Sequence, residues 1–393
     1  MSTPAQKTLV SFLLAAGLST FVAPANAVTV KSVGSVRHGT DTQVTVVFTD
    51  PVDPVSGATP ANYTFTGGVT VTGASMMTGL PAADAVGVAE NPAPAGRVVN
   101  NQCVVLTVTG LAADATAAIT IQNVKDTATP PNTIPSATIT FKDSGYKWAE
   151  SGTPALPGKV IAVGTNGFDI FSAGSGQWAN YDEVVVVYKE TTGDFDYKAR
   201  VEFQDFSSQW ARAGVMARES LNDGENGAKQ AGNWCSTPPV PGTVSRYVDV
   251  HPNPVQCFNS GAATPILTPG NNGWESHVRK GNFIGGNGGF EATDSNNTTP
   301  GAPLYPNAWV RIQRVGNDFH TFHGSDGENW DPAADRLADD FVDPATLDLD
   351  FSTTPCTGSG GTPLPMKPTL FVGAAFGPET VNIVPPEGKN RLF

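Results

Sequence analysis

Short runs of β-branched residues, each broken by Gly, Pro, Asn or Asp, recur along the chain, and this pattern limits what it can fold into. The clearest run is Thr42-Gln43-Val44-Thr45-Val46-Val47-Phe48, which puts Val44, Val46 and Phe48 on one face at period two before Asp50-Pro51 and Asp53-Pro54 end it. Gly (42) and Pro (32) make up about a fifth of the 393 residues, a composition of many turns and few long helices. Hydrophobic residues at 39% suffice for a packed core, so a disordered chain is excluded. The expected class is all-β.

Residues 1–27 read as a secretory signal. Lys7 is their only charge, an apolar run follows from Leu9 towards Val22, and Ala25-Asn26-Ala27 fits the small-residue cleavage rule. The apolar run is shorter than the roughly 18 to 20 residues of a membrane span. The expectation is a secreted, extracellular or cell-surface protein, cleaved near Ala27, with no transmembrane segment in the mature chain. Export permits disulfides. Four cysteines allow three connectivities; Cys235 and Cys257 bracket a Pro/Asn/Gly-rich stretch and are the expected pair. Cys103, inside the run Cys103-Val104-Val105-Leu106-Thr107-Val108, reads as a buried thiol, and Cys356 sits in a Gly/Ser/Thr/Pro loop.

The mature chain divides in two. From Val28 to Phe141, strands are expected at 42–48, 62–65, 69–72, 103–109, 117–122 and 136–141, as an antiparallel sandwich. From about Asp143 the texture changes: all seven Trp and 29 of the 36 acidic residues lie there. Strands are expected at 183–188, 196–203, 309–315, 319–323 and 369–373, with long loops and occasional strands across 222–308.

Two resemblances sharpen this. Val46-Val47-Phe48-Thr49-Asp50-Pro51-Val52-Asp53, Ala61-Asn62-Tyr63-Thr64-Phe65 and Val105-Leu106-Thr107-Val108-Thr109-Gly110-Leu111 through Ile121-Gln122-Asn123-Val124-Lys125-Asp126 resemble bacterial immunoglobulin-like modules of surface and secreted proteins. Gly167-Phe168-Asp169-Ile170-Phe171, Thr192-Gly193-Asp194-Phe195-Asp196, Ala211 through Ser220, Trp309 through Asn317 and Ser325 through Trp330 resemble a concanavalin A-like (laminin G-like) module. With the signal over 1–27 set aside, the resemblances imply an immunoglobulin-like β-sandwich over 28–142 and a larger concanavalin A-like (jelly-roll) β-sandwich over 143–393. The chain stops at Arg391-Leu392-Phe393, where a closing strand is expected to begin, so either the native protein continues or the last strand is incomplete.

The formal charge of −13 argues against nucleic acid or an anionic membrane as partner, because no basic field exists to neutralise phosphates. A glucanase of the concanavalin A-like class needs paired carboxylates on one strand face. The alternating acids Asp194/Asp196 and Asp348/Asp350 read instead as turn residues, so no enzyme is expected. Exposed Trp rings can stack on sugars, and Trp234, Trp274 and Trp330 are the candidates, with Trp309 assigned to the core. Arg218 is a further candidate for sugar contact, although strand Arg residues such as Arg218, Arg311 and Arg314 more often pair structurally. His320 and His323 point to opposite faces of a strand and predict no zinc site. Loops at Asp223 and Asp326 are weak calcium candidates. The expected function is non-catalytic binding of polysaccharide or glycan, with calcium as an optional cofactor. A structural or adhesive protein binding other surface proteins is the alternative, and a glycoside hydrolase ranks last.

Overall fold

The computed structural model describes residues 27–80, 98–152, 156–174, 176, 182–204, 211–221, 245–252, 274–279, 290–295, 306–343, 348–350, 357–359 and 361–378. The all-β expectation holds: the described helical pieces are one short turn, Pro54–Gly57, and two 3-10 turns. The signal segment 1–26, Trp234, Asp223, Cys235, Cys257 and Cys356 lie outside the described residues.

The first segment supplies β1 (Val30–His38), β2 (Asp41–Phe48), β3 (Tyr63–Phe65), β4 (Thr70–Met76), β5 (Cys103–Thr109), β6 (Thr116–Ile121) and β7 (Ala137–Lys142). The second supplies β8 (Lys147–Ser151), β9 (Leu156–Val163), β10 (Gly167–Ala173), β11 (Val184–Thr192), β12 (Phe195–Val201), β13 (Arg212–Arg218), β14 (Tyr247–Pro252) and β15 (Trp274–Arg279). It continues with β16 (Phe290–Ser295), β17 (Ala308–Val315), β18 (Asp318–Gly324), β19 (Asp331–Arg336), β20 (Asp348–Asp350), β21 (Thr357–Ser359) and β22 (Thr369–Gly377).

Both segments contribute to one sheet of eleven strands, in the order β16-β15-β14-β13-β22-β11-β8-β1-β2-β5-β4. The three-stranded sheet β3-β6-β7 packs on its first-segment end around Val44, Val46, Phe48, Leu106, Ile119 and Ile121. Val44, Val46 and Phe48 are fully buried, as their period predicts, and each such side chain is worth roughly 1.5–3 kcal/mol. On the opposite face and at the other end, the four-stranded sheet β12-β17-β18-β19 packs around Val215, Val250, Val310, Ile312 and Phe319. The β9–β10 hairpin is wedged between the two halves. Val160, Ala162, Phe168 and Ile170 join the second core, while Ile161 and Phe171 pack on Val47 and Cys103 of the first. Cys103 is a free, fully buried thiol, as expected, and burial holds its pKa well above the usual value.

The boundary at 142/143 is a seam rather than a hinge. β1 runs parallel to β8, with Arg37 opposite Lys147 and His38 opposite Trp148. His38 stacks on Trp148 at 3.7 Å. The Asp143 carboxylate is fully buried there and accepts from Ser35 Oγ (2.7 Å), Arg37 Nη1 (2.7 Å), the Asp114 N–H (3.1 Å) and the Gly145 N–H (3.0 Å). Gly34 permits the approach of β1 to the hairpin, because a Cβ there would lie 2.4 Å from the Gly164 carbonyl oxygen.

Two expectations follow. Asp143→Ala leaves the Arg37 guanidinium without its counter-charge and should lower stability by about 3 kcal/mol in denaturant unfolding; an unchanged midpoint would refute the seam. Glu150, beside the hairpin, accepts from the Gly158 N–H at 2.6 Å. Burial pushes its pKa up to about 6 despite that bond, with Glu183 adding to the rise. A carboxyl raised in the folded state binds the proton more tightly than in the unfolded chain. Its destabilising ionisation therefore sets in as pH rises from about 4.5 to 6. Glu150→Gln should raise the unfolding temperature at pH 7 and leave it unchanged at pH 4.

Candidate functional site

The outer face of the four-stranded sheet brings together the exposed aromatic and basic groups. Alternation along β17 sends Ala308, Val310 and Ile312 inward, so Trp309, Arg311 and Gln313 point outward. Lys198 and Arg200 of β12 stand opposite Arg311 and Trp309, and Phe322 of β18 stands opposite Arg311. The turn after β18 carries Trp330 over this row. Lys198 Nζ lies 5.9 Å from both the Trp309 and the Trp330 rings and donates to the Gly327 carbonyl at 2.8 Å. Arg311 lies 5.1 Å above Phe322 and 5.6 Å from Trp330. Trp309 is therefore half-buried on the outer face, not in the core as its position at the head of a strand suggested.

This face opens into a cleft of about 670 Å³ at the seam, lined by Lys142 and Asp114 of the first segment and by Tyr146, Lys189, Arg200 and Trp309 of the second. Lys189 sits 4.7 Å over the Tyr146 ring and pairs with Asp114 at 3.4 Å. Four basic side chains (Lys142, Lys189, Lys198 and Arg200) and three acidic ones (Asp114, Asp143 and Glu202) border this hollow, with Lys189 paired to Asp114 and Arg200 to Glu202. Aromatic faces beside planar and ammonium donors can stack on an apolar sugar face and bond its hydroxyls or carboxylates.

Of the described residues proposed from the sequence as sugar contacts, Trp330 belongs to this face, and Trp274 and Arg218 do not. Trp274 is 2% exposed and stacks on His323 at 5.0 Å, so it packs the core and offers no ring to a ligand. Arg218 is completely buried: its Nη2 donates to Asp182 Oδ2 at 2.7 Å, and Arg279 donates to both oxygens of the same carboxylate at 2.9 and 2.7 Å. Its role is structural pairing. Asp326 binds the Glu328 and Asn329 N–H groups at 2.8 Å each and the Asn329 side-chain amide at 2.7 Å, which lowers its pKa to about 2. Both oxygens thus accept hydrogen bonds that close the turn. His320 and His323 do face opposite sides: His320 pairs with Asp335 at 2.8 Å outside, and His323 packs inward.

A second cluster was not anticipated. β14 and β15 are buried on both faces; Val248, Val250, Trp274 and Val278 enter the second core, while Tyr247, Asp249, His251, Glu275, His277 and Arg279 line the other face. Asp249 lies opposite His277 and His251 opposite Glu275. Glu275 Oε2 is 3.3 Å from His251 Nε2 and 3.0 Å from His277 Nε2, and Asp249 is 3.4 and 3.7 Å from the two Nδ1 atoms. Burial pushes both carboxyl pKa values up, but contacts with the two imidazoles outweigh it and hold them low. Burial lowers His277 to about 4, whereas for His251 the attraction of Asp249 overcomes burial and raises it. The signal in the sequence was two carboxylate-x-histidine triplets, hidden in a stretch read as loop.

No protein-family model and no curated protein matches the chain. Among solved structures it is similar to a functionally unknown protein from Saccharomyces cerevisiae, with a TM-score of 0.34 and 13% identity over 63% of this chain and 90% of that one. It is also similar to the N-terminal part of the bacterial S-layer protein SbsC, with a TM-score of 0.20 and 17% identity over 45% of this chain and 35% of that one. A structure of domains 1–6 of surface layer protein SbsC gives 0.22 and 11% over 83% and 42%. The chain spans less than half the length of either S-layer structure. At these TM-scores neither fold nor function transfers. No described helix is long and apolar enough to cross a membrane.

Asp182→Asn removes the charge that holds Arg218 and Arg279, both buried. Denaturant unfolding should show a loss of about 3 kcal/mol or more, and a neutral result would contradict the structural role of Arg218.

Proposed function

We propose that the protein is a secreted, non-catalytic glycan-binding protein in which an immunoglobulin-like module precedes a concanavalin A-like one, the glycan lying in the seam cleft and along the Trp309–Trp330 face. One observation carries this reading: two Trp rings, Phe322 and three cationic side chains share a solvent-facing sheet surface that continues into a cleft. Lys198, which lies between the two Trp rings, supports chains with carboxylate-bearing sugars over neutral ones. Export is supported by the pattern of residues 1–27. The non-catalytic reading is supported by the two alternating acids at the start of β12, Asp194 just before it and Asp196 within it. Asp194 accepts from the Gly316 N–H at 2.7 Å, and Asp196 forms a two-point ion pair with Arg311. Both are spent on structure, not set as an acid and a nucleophile.

The mature chain from Val28 should be passed over immobilised neutral and uronate-containing polysaccharides, with retention and released sugar scored together. Retention on the uronate columns, weakened by salt and unaffected by chelator, is expected, with no sugar released. Trp330→Ala and Lys198→Ala should each weaken binding about tenfold, or about 1.4 kcal/mol, at unchanged unfolding temperature. Released sugar would overturn the non-catalytic reading. Retention on no glycan would favour the adhesive protein.

A further inference from the structure

The cluster on β14 and β15 is independent of the glycan face and lies on the opposite side of the long sheet. Its two imidazoles present the same atoms to the same partners: both Nδ1 atoms face Asp249, and both Nε2 atoms share Glu275 Oε2. One ligand atom each from Asp249, His251 and His277 lie within 4.8 Å of one another. The rings meet edge to face with centroids 4.8 Å apart. We propose that Asp249, His251 and His277 bind one zinc ion through a carboxylate oxygen and the two Nδ1 atoms, with Glu275 holding both imidazoles from behind.

Three arguments support this. The first is distance. Tetrahedral zinc with bonds of 2.0–2.1 Å needs donors roughly 3.3–3.4 Å apart; Asp249 Oδ2 stands 3.4 Å from His251 Nδ1 and Oδ1 stands 3.7 Å from His277 Nδ1, and the three donor atoms lie within 4.8 Å, so side-chain rotations of about an ångström would close the site. The second is hydrogen-bond count. A neutral imidazole has one N–H, yet both nitrogens of His277 face carboxylate oxygens, Nε2 at 3.0 Å and Nδ1 at 3.7 Å. If Nε2 donates to Glu275, the Nδ1 lone pair points towards negative Asp249, and a cation between them turns that repulsion into two bonds. The third is the outer layer: metal-binding histidines ordinarily donate their other N–H to a carboxylate, which fixes tautomer and ring orientation. Glu275 Oε2 is hydrogen-bonded to His251 Nε2 at 3.3 Å and stands 3.0 Å from His277 Nε2, and Arg212 Nε, 3.9 Å away, balances its charge. Two imidazoles and one carboxylate suit zinc, whereas calcium requires six to eight oxygens. Three protein ligands leave the fourth tetrahedral position to a water, and because the four residues are at most 5% exposed, the ion would tie β14 to β15.

The test uses the mature chain from Val28, stripped with chelator and titrated calorimetrically with Zn²⁺, and with Co²⁺ for its absorption spectrum. Expected results are one tightly bound Zn²⁺ per chain, no response to Ca²⁺, the intense visible bands of tetrahedral Co²⁺, and a higher unfolding temperature with zinc. His251→Gln/His277→Gln should abolish that equivalent. Glu275→Gln, which keeps the ligands, should weaken it about 10–100-fold. Equal zinc uptake by wild type and the double variant would overturn the site and leave a buried ion-pair cluster. Should the double variant fail to fold, a wild-type Co²⁺ complex without tetrahedral bands overturns it equally.

Discussion

A carboxylate removed from water costs several kcal/mol unless hydrogen bonds and an opposite charge replace the solvent, and Asp143 recovers that cost only with the seam assembled. Its donors come from β1 (Ser35 and Arg37), from the turn at Asp114 and from the chain leading into β8 (Gly145). The same contacts lay β8 beside β1 in parallel and so make one sheet of eleven strands from two segments. The cleft beside Trp309 exists because of this arrangement, since its walls belong to both segments.

The β9–β10 hairpin carries the second consequence. A strand pair buried on both faces reads as a near-continuous apolar run; Val160-Ile161-Ala162 does so, and Phe168-Asp169-Ile170-Phe171 is broken only by the buried Asp169. Alternate residues serve different cores, so the hairpin cannot move away from one half without exposing apolar surface of the other. Thr45 Oγ1 adds a 2.5 Å bond to the Ala162 carbonyl across the same interface.

The far end of the long sheet is governed by buried charge. Asp182 with Arg218 and Arg279, and Asp249 and Glu275 with His251 and His277, occupy one face of β13–β15. Buried ion pairs add little net stability over apolar packing. They do select register: a slip of one residue exchanges the faces of a strand and would drive these groups into the core of Val248, Val250 and Val278. The outer face of the four-stranded sheet obeys the same alternation: its residues alternate with a well-packed inner row, and Lys198, Trp309 and Trp330 stay partly exposed.

Local pattern was enough for the all-β class, for the strands at 42–48, 103–109, 309–315 and 369–373, and for the buried state of Cys103, because period and composition are properties of neighbouring residues. Opposite faces for His320 and His323 followed from the same two-residue period. That period also implied an outward Trp309, but a general preference for buried Trp overrode it. β1 went unread, since Val30–His38 mixes Lys, Ser, Gly and Arg, and its Ser35 and Arg37 are held by Asp143, more than a hundred residues away. Trp274 and Arg218 were read as sugar contacts, and only the strands packed around them showed one stacked on His323 and the other locked to Asp182. The sequence by itself determined which residues could pair as strands. Tertiary structure alone decided which strands became neighbours, and hence which carboxylates met which cations, because each such contact joins groups that sequence distance keeps apart.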